Sequence, residues 1–232
     1  MLLRCLARRF LAFLLTGFVF VSMSTWSANS HIGIVIFDGV LTSDVTAPAE
    51  VFGVASRQAW FKDYNVALIS VEDKATITTE EGLVLTPDYH IGNAPSLDVL
   101  LLPSAYDMDG LFKNQQLTAF IQQQAKSVSW LASNCSGAFL LANAGLLDGR
   151  RATTWAGGEK DLQKQYPKIK VVEDENVVVD GKIITSNGSI VSYQAALVLL
   201  ANMSSAAKAK EVFETLQMQR VMDWSAVSQY LN

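Results

Sequence analysis

The chain has 232 residues, half of them hydrophobic and 17% charged, with a formal net charge of −4 at neutral pH. That composition belongs to a folded globular protein and excludes a disordered one. Lys and Arg are scattered rather than gathered into a basic stripe, so DNA and RNA are not expected partners.

At the N-terminus, Arg4, Arg8 and Arg9 precede an uncharged run over 10–21, and the small residues Ser24, Thr25, Ser27 and Ala28 follow. This is the three-part plan of a secretory signal peptide. An uncleaved membrane anchor and a buried core helix are the rival readings. The run is shorter than the ~20 residues of a bilayer span, which favours cleavage. Residues 1–28 are therefore assigned to a signal peptide and 29–232 to one folded domain, with 206–232 as a C-terminal helical extension. The mature protein is expected to be secreted or periplasmic, and membrane-bound only if the segment stays attached. Roughly 200 residues then remain, enough to bury one core without metal or disulfide support. Cys5 leaves with the signal, so Cys135 has no partner within the mature chain.

Apolar runs set against turn signals predict a buried strand over 32–37, a loop over 38–43 and a helix from 44 or 45 to 58. A strand over 65–71, short strands around 75–79 and 82–85, and a fully buried strand over 98–103 follow. His90 falls in a loop after Pro87. A helix over 117–126, a strand over 128–133 and a helix over 137–143 come next. Beyond them lie a helix over 159–166 ended by Pro167 and short strands over 171–173, 177–179 and 183–186, the last two joined by a turn at Asp180-Gly181. An apolar helix over 190–203 and an amphipathic one over 206–221 close the chain. Alternating strands and helices predict a mostly parallel α/β sheet with helices on both faces.

The strand over 128–133 delivers the chain to Asn134-Cys135-Ser136-Gly137, where a helix begins at once. This presents the thiol at a helix N-terminus, where unpaired N–H groups and the macrodipole favour an anion. A thiol pKa below its usual ~8.5 is expected. The Ser136 N–H could hold an oxyanion. An inert buried cysteine is the other reading of a lone Cys. The ends of the strands over 98–103 and 128–133 should together define a pocket, taking in Ala105 and Tyr106.

The stretch from Asn134 through Ala144-Gly145-Leu146-Leu147-Asp148-Gly149-Arg150-Arg151-Ala152-Thr153-Thr154 resembles the nucleophile region of the PfpI/ThiJ superfamily, within the class I glutamine amidotransferase-like fold. Phe37-Asp38-Gly39 with Ser43-Asp44-Val45 to Phe52, and Asp180-Gly181-Lys182 to Gly188, resemble its opening helix and closing hairpin. The resemblance covers about 32–203. It implies a flavodoxin-like sandwich with a nucleophile elbow, commonly homodimeric. Within the superfamily the pattern resembles the isonitrile hydratase and regulator-sensor group, in which an aspartate before the first helix sits near the nucleophile. Asp44 matches it, and Glu50 matches the first-helix glutamate that hydrogen-bonds the superfamily cysteine. Asp44 also reads as a helix N-cap. Where relatives often show Gly-Gly this chain has Pro103-Ser104-Ala105-Tyr106, and where many show a histidine after the paired threonines it has Thr154-Trp155. Trp155 reads either as a pocket wall or as a core residue. His31 and His90 read as surface or packing residues, so a Cys-His dyad is not expected.

The resulting expectation is a cysteine-dependent hydratase or hydrolase acting on a small electrophile, without metal or other cofactor. Cys135 is the nucleophile, Asp44 and Glu50 the supporting carboxyls and Ser136 the orienting group; Ala105, Tyr106, Thr154 and Trp155 border the substrate. A sensor domain that binds a small molecule, or oxidises reversibly, is the alternative.

Overall fold

The computed structural model describes residues 29–58 and 63–231. The expected signal peptide lies outside the described residues. Among them a seven-stranded sheet forms the centre. Its strands are β1 (Asn29–Ile36), β2 (Asp63–Ser70), β5 (Tyr89–His90), β6 (Val99–Leu102), β7 (Trp130–Asn134), β10 (Val177–Asp180) and β11 (Ile183–Ser186). They run in the order β10-β11-β7-β6-β1-β2-β5, all neighbours parallel except the β10–β11 hairpin. Small pairs lie outside it: β3 (Ile77–Thr78) with β4 (Val84–Leu85), and β8 (Arg151–Ala152) with β9 (Lys170–Val171).

Successive strand residues point to opposite faces, yet all of Val99–Leu102 are buried, so β6 is covered on both sides. Helix α1 (Thr42–Gln58) packs with α6 (Val191–Met203) and α7 (Ala206–Thr215). The short α2 (Asp109–Phe112), α3 (Gln115–Gln124) and α4 (Gly137–Asn143) pack together, with α4 against β6 and β7. Helix α5 (Glu159–Gln165) leans on β9, and α8 (Ser225–Ser228) on α6. Phe37, Phe52, Ile32, Ile34, Leu100 and Leu102 are among the largest fully buried side chains. Each such burial contributes about 1.5–3 kcal/mol, which is what holds the layers together.

The parallel α/β architecture follows the sequence reading, and the differences have local causes. Tyr89–His90, read as loop, pairs with Ile69–Ser70 as an edge strand too short to show a period. Helix α1 begins at Thr42 because the β3–β4 segment supplies its N-terminal acceptor: Glu81 Oε2 takes the Thr42 N–H at 2.9 Å. The amphipathic stretch from 206 stops at Thr215, since Gln217 is left-handed (φ 55°), and the chain continues as a 3-10 turn over Met218–Arg220.

Because β1, β6, β7 and β11 are parallel and in register, their carboxyl ends meet at one edge. Between β1 and β6 the chain's connections diverge, β1 leading to β2 toward one edge of the sheet and β6 to β7 toward the other. Crevices of α/β sheets form at this kind of switch point.

Candidate active site

Cys135 follows the last residue of β7 and has φ 50°, a left-handed conformation that L residues rarely adopt. Three hydrogen bonds hold it there. Its N–H donates to Ser186 O at 2.9 Å, and its carbonyl accepts from Thr154 Oγ1 at 2.8 Å and from the Ala138 N–H at 3.3 Å. Two glycines make the space. A Cβ on Gly137 would stand 2.1 Å from Leu102 O, so only glycine lets α4 start against the end of β6. A Cβ on Gly188, at φ 77°, would stand 2.5 Å from Cys135 Cβ and 3.1 Å from Asp44 Oδ1. Thiol and carboxylate therefore crowd the same point.

Asp44, in the first turn of α1, is completely buried. It does not cap its own helix. Oδ1 accepts from Ser189 N at 2.9 Å and Ser192 Oγ at 2.8 Å, while Oδ2 accepts from Ser104 N at 3.2 Å and Ser104 Oγ at 2.5 Å. Burial pushes this carboxyl above its ordinary range, and the four hydrogen bonds work against that by favouring the ionised form. Its carbonyl is set by a second device. Pro48 has no N–H, so the Asp44 carbonyl four residues earlier lacks its helical donor. Asn134 Nδ2 fills the gap at 3.3 Å, while Asn134 Oδ1 accepts from Ser186 Oγ at 2.7 Å.

The thiol itself departs from the sequence expectation. Burial pushes Cys135 above its ordinary value; the Ser104 hydrogen bond pulls it down, the Asp44 charge raises it and the Ser136 N–H and hydroxyl lower it, for a net upward shift. Burial outweighs the helix dipole here. A helix terminus is worth about 0.3–1 kcal/mol, here from the seven residues of α4, whereas burial of a charged form can move a pKa by several units.

Cys135 opens on a cavity of about 640 Å³. Ser136, Ala105 and Tyr106 line it; Ser136 Oγ donates to Ala105 O at 3.3 Å, and Tyr106 stands 80% exposed. Trp155 lines it too, stacked on Phe139 at a centroid distance of 5.3 Å, and Phe139 in turn meets Phe112 at 5.9 Å. Two expected members stand elsewhere. Thr154 is fully buried behind the elbow and does not line the cavity. Glu50 is exposed and accepts from Tyr193 Oη at 2.6 Å, pushing that phenol up to about 12; it does not support the thiol. His90 is occupied with Val71 O and Gly92 N, and neither histidine lines the cavity. Ser104, Ser189 and Ser192 are the members that sequence reasoning missed. The departure at Pro103-Ser104 was visible, but what Ser104 faces was not.

Comparison with known proteins identifies the family and the fold. Isonitrile hydratase of Pseudomonas putida is 34% identical over 170 residues, which are 73% of this chain and 70% of that protein. The HTH-type transcriptional regulator GbdR of Pseudomonas aeruginosa is 24% identical over 157 residues, 68% of this chain and 42% of the regulator. A solved ThiJ/PfpI family protein from Pseudomonas syringae superposes with a TM-score of 0.73 at 22% identity, covering 83% of this chain and 76% of that one. Residues 30–202 match the model of the DJ-1/PfpI family, and the chain belongs to that family.

Proposed function

We propose that the protein is an exported, cysteine-dependent hydratase that adds water to a small isonitrile. The observation that carries the reading is the convergence of a left-handed Cys135, which lines the cavity, and a buried Asp44 packed behind it at Gly188. The similarity to isonitrile hydratase supports the substrate class. Asp44 receives the thiol proton as Cys135 Sγ bonds to the isonitrile carbon, and that proton passes to the same carbon, giving a thioimidate. Water then adds to the carbon, the nitrogen takes a proton, and the C–S bond breaks to release an N-substituted formamide and the thiol. Atoms balance, and nothing is oxidised or reduced. Ser136, at the start of α4, orients the adduct.

The test uses mature protein recovered from the periplasm of its native host. Its N-terminus should fall between about Thr25 and His31. It should form formamide from a simple alkyl isonitrile, and Cys135→Ala should abolish this. An intact Met1 on cytoplasmic material refutes export. Turnover that survives Cys135→Ala refutes the nucleophile. Saturable isonitrile binding without turnover would instead favour the ligand-sensing role suggested by the similarity to a regulator.

A further inference from the structure

Ser104 is completely buried just past the end of β6. Its hydroxyl donates to Asp44 Oδ2 at 2.5 Å, and the same carboxylate shares the space over Gly188 with Cys135 Cβ; from there Ser104 pulls the Cys135 thiol down by favouring its thiolate. A serine hydroxyl has one proton and two lone pairs. While that proton is given to Asp44, the oxygen can only accept from the sulfur. Asp44 meanwhile has both oxygens occupied by serine donors, and no described hydrogen bond joins it to Cys135 directly.

We propose that Ser104 is a catalytic residue whose hydroxyl relays the proton between Cys135 Sγ and Asp44 Oδ2. The S–H bond breaks and its proton joins Ser104 Oγ, while the original Ser104 O–H bond breaks and that proton joins Asp44. The products are a thiolate, a neutral carboxylic acid and an intact hydroxyl now donating to sulfur. One negative charge is present before and after, and no electrons are transferred. The relay explains how a thiol raised by burial still delivers a nucleophile: the anion moves from carboxylate to sulfur without a second charge entering the buried site. The other titratable groups among the residues lining the cavity are the exposed Tyr106 phenol and the exposed carboxylates Glu81, Asp107 and Asp109, of which Glu81 is held by the Thr42 N–H.

The inference rests on the reading of Cys135 as nucleophile, and its test needs no isonitrile. Iodoacetamide labelling of Cys135 is followed against pH by mass spectrometry. Wild type should show a plateau at neutral pH, beginning as Asp44 ionises, and a second rise at alkaline pH where hydroxide removes the thiol proton. Ser104→Ala should lower the plateau about 100-fold and leave the alkaline rate near wild type, while Ser104→Thr should keep the plateau. Asp44→Asn gives the opposite sign for the two explanations. A carboxylate acting only through its charge would, once removed, ease thiol ionisation and speed neutral labelling. A relay that loses its acceptor slows it. A wild-type profile in Ser104→Ala, or faster neutral labelling in Asp44→Asn, overturns the proposal, and the second decides the matter if Ser104→Ala does not fold. An intact plateau without isonitrile turnover counts against the hydratase reading alone.

Discussion

At the elbow a single residue carries strain: a non-glycine held at φ 50° costs on the order of 1–3 kcal/mol, offset here by the bonds from Thr154 and to Ser186. Gly188 is what makes that arrangement fit. Gly188→Ala would place a methyl 2.5 Å from Cys135 Cβ and demand a left-handed alanine. It should destabilise the protein by at least ~2 kcal/mol and abolish turnover, measured by urea unfolding and by the isonitrile assay. Unchanged stability would mean that the loop after β11 can withdraw from the thiol. Asp44 and Glu50 show what the sequence could have decided unaided. Six residues at 100° each leave them about 120° apart around a helix, so both cannot face one thiol. Asp44 takes the inner position, and Glu50 reaches Tyr193 on the outside.

Between elements, the register of α1 against the elbow depends on a donor missing from the helix. Pro48 leaves the Asp44 carbonyl open, and Asn134 Nδ2 occupies it from the end of β7. Asn134→Ala should therefore cost about 1–3 kcal/mol, because a buried carbonyl and the Ser186 hydroxyl both lose a partner. Adding Pro48→Ala restores a backbone N–H four residues after Asp44 and should recover about 1 kcal/mol of that loss. A double-mutant cycle by urea unfolding reads this coupling. Strict additivity would show that the two residues do not share the carbonyl. Pro48 was plain in the sequence, and so was Asn134; what was hidden is that strand and helix meet there. The long elements were legible because their apolar periods extend over several turns or a whole strand. Two-residue strands such as Tyr89–His90 have no period to read.

Across the whole molecule, two uninterrupted apolar runs ending in polar loops were enough to place β6 beside β7 and to locate the crevice. The sign of charge at its mouth was not legible, because the loops that supply it are far apart in sequence and each reads as an ordinary solvated loop. Glu81, Asp107 and Asp109 are the charged residues lining the cavity, and none of the lining residues is basic. Asp109 is partly answered by Lys113 at 3.7 Å, an exposed pair of little weight, and Glu81 by the Thr42 N–H. Among the described residues Asp107 accepts only the Asp109 N–H, on one oxygen, and so retains most of its field. Deeper in, Phe112, Phe139 and Trp155 present an apolar wall. A substrate entering here meets negative potential first and hydrocarbon second, which selects an uncharged or cationic group with an apolar body over an anion. An uncharged alkyl isonitrile should accordingly have a KM about tenfold below that of a carboxylate-bearing isonitrile of equal size at low salt. The gap should narrow toward 1 M salt, where the Debye length falls to ~3 Å. Asp107→Asn should narrow it at low salt as well, with kcat for the uncharged substrate unaltered in direction by salt. A carboxylate-bearing substrate that binds equally well at every ionic strength would show that the acidic mouth plays no part in selection.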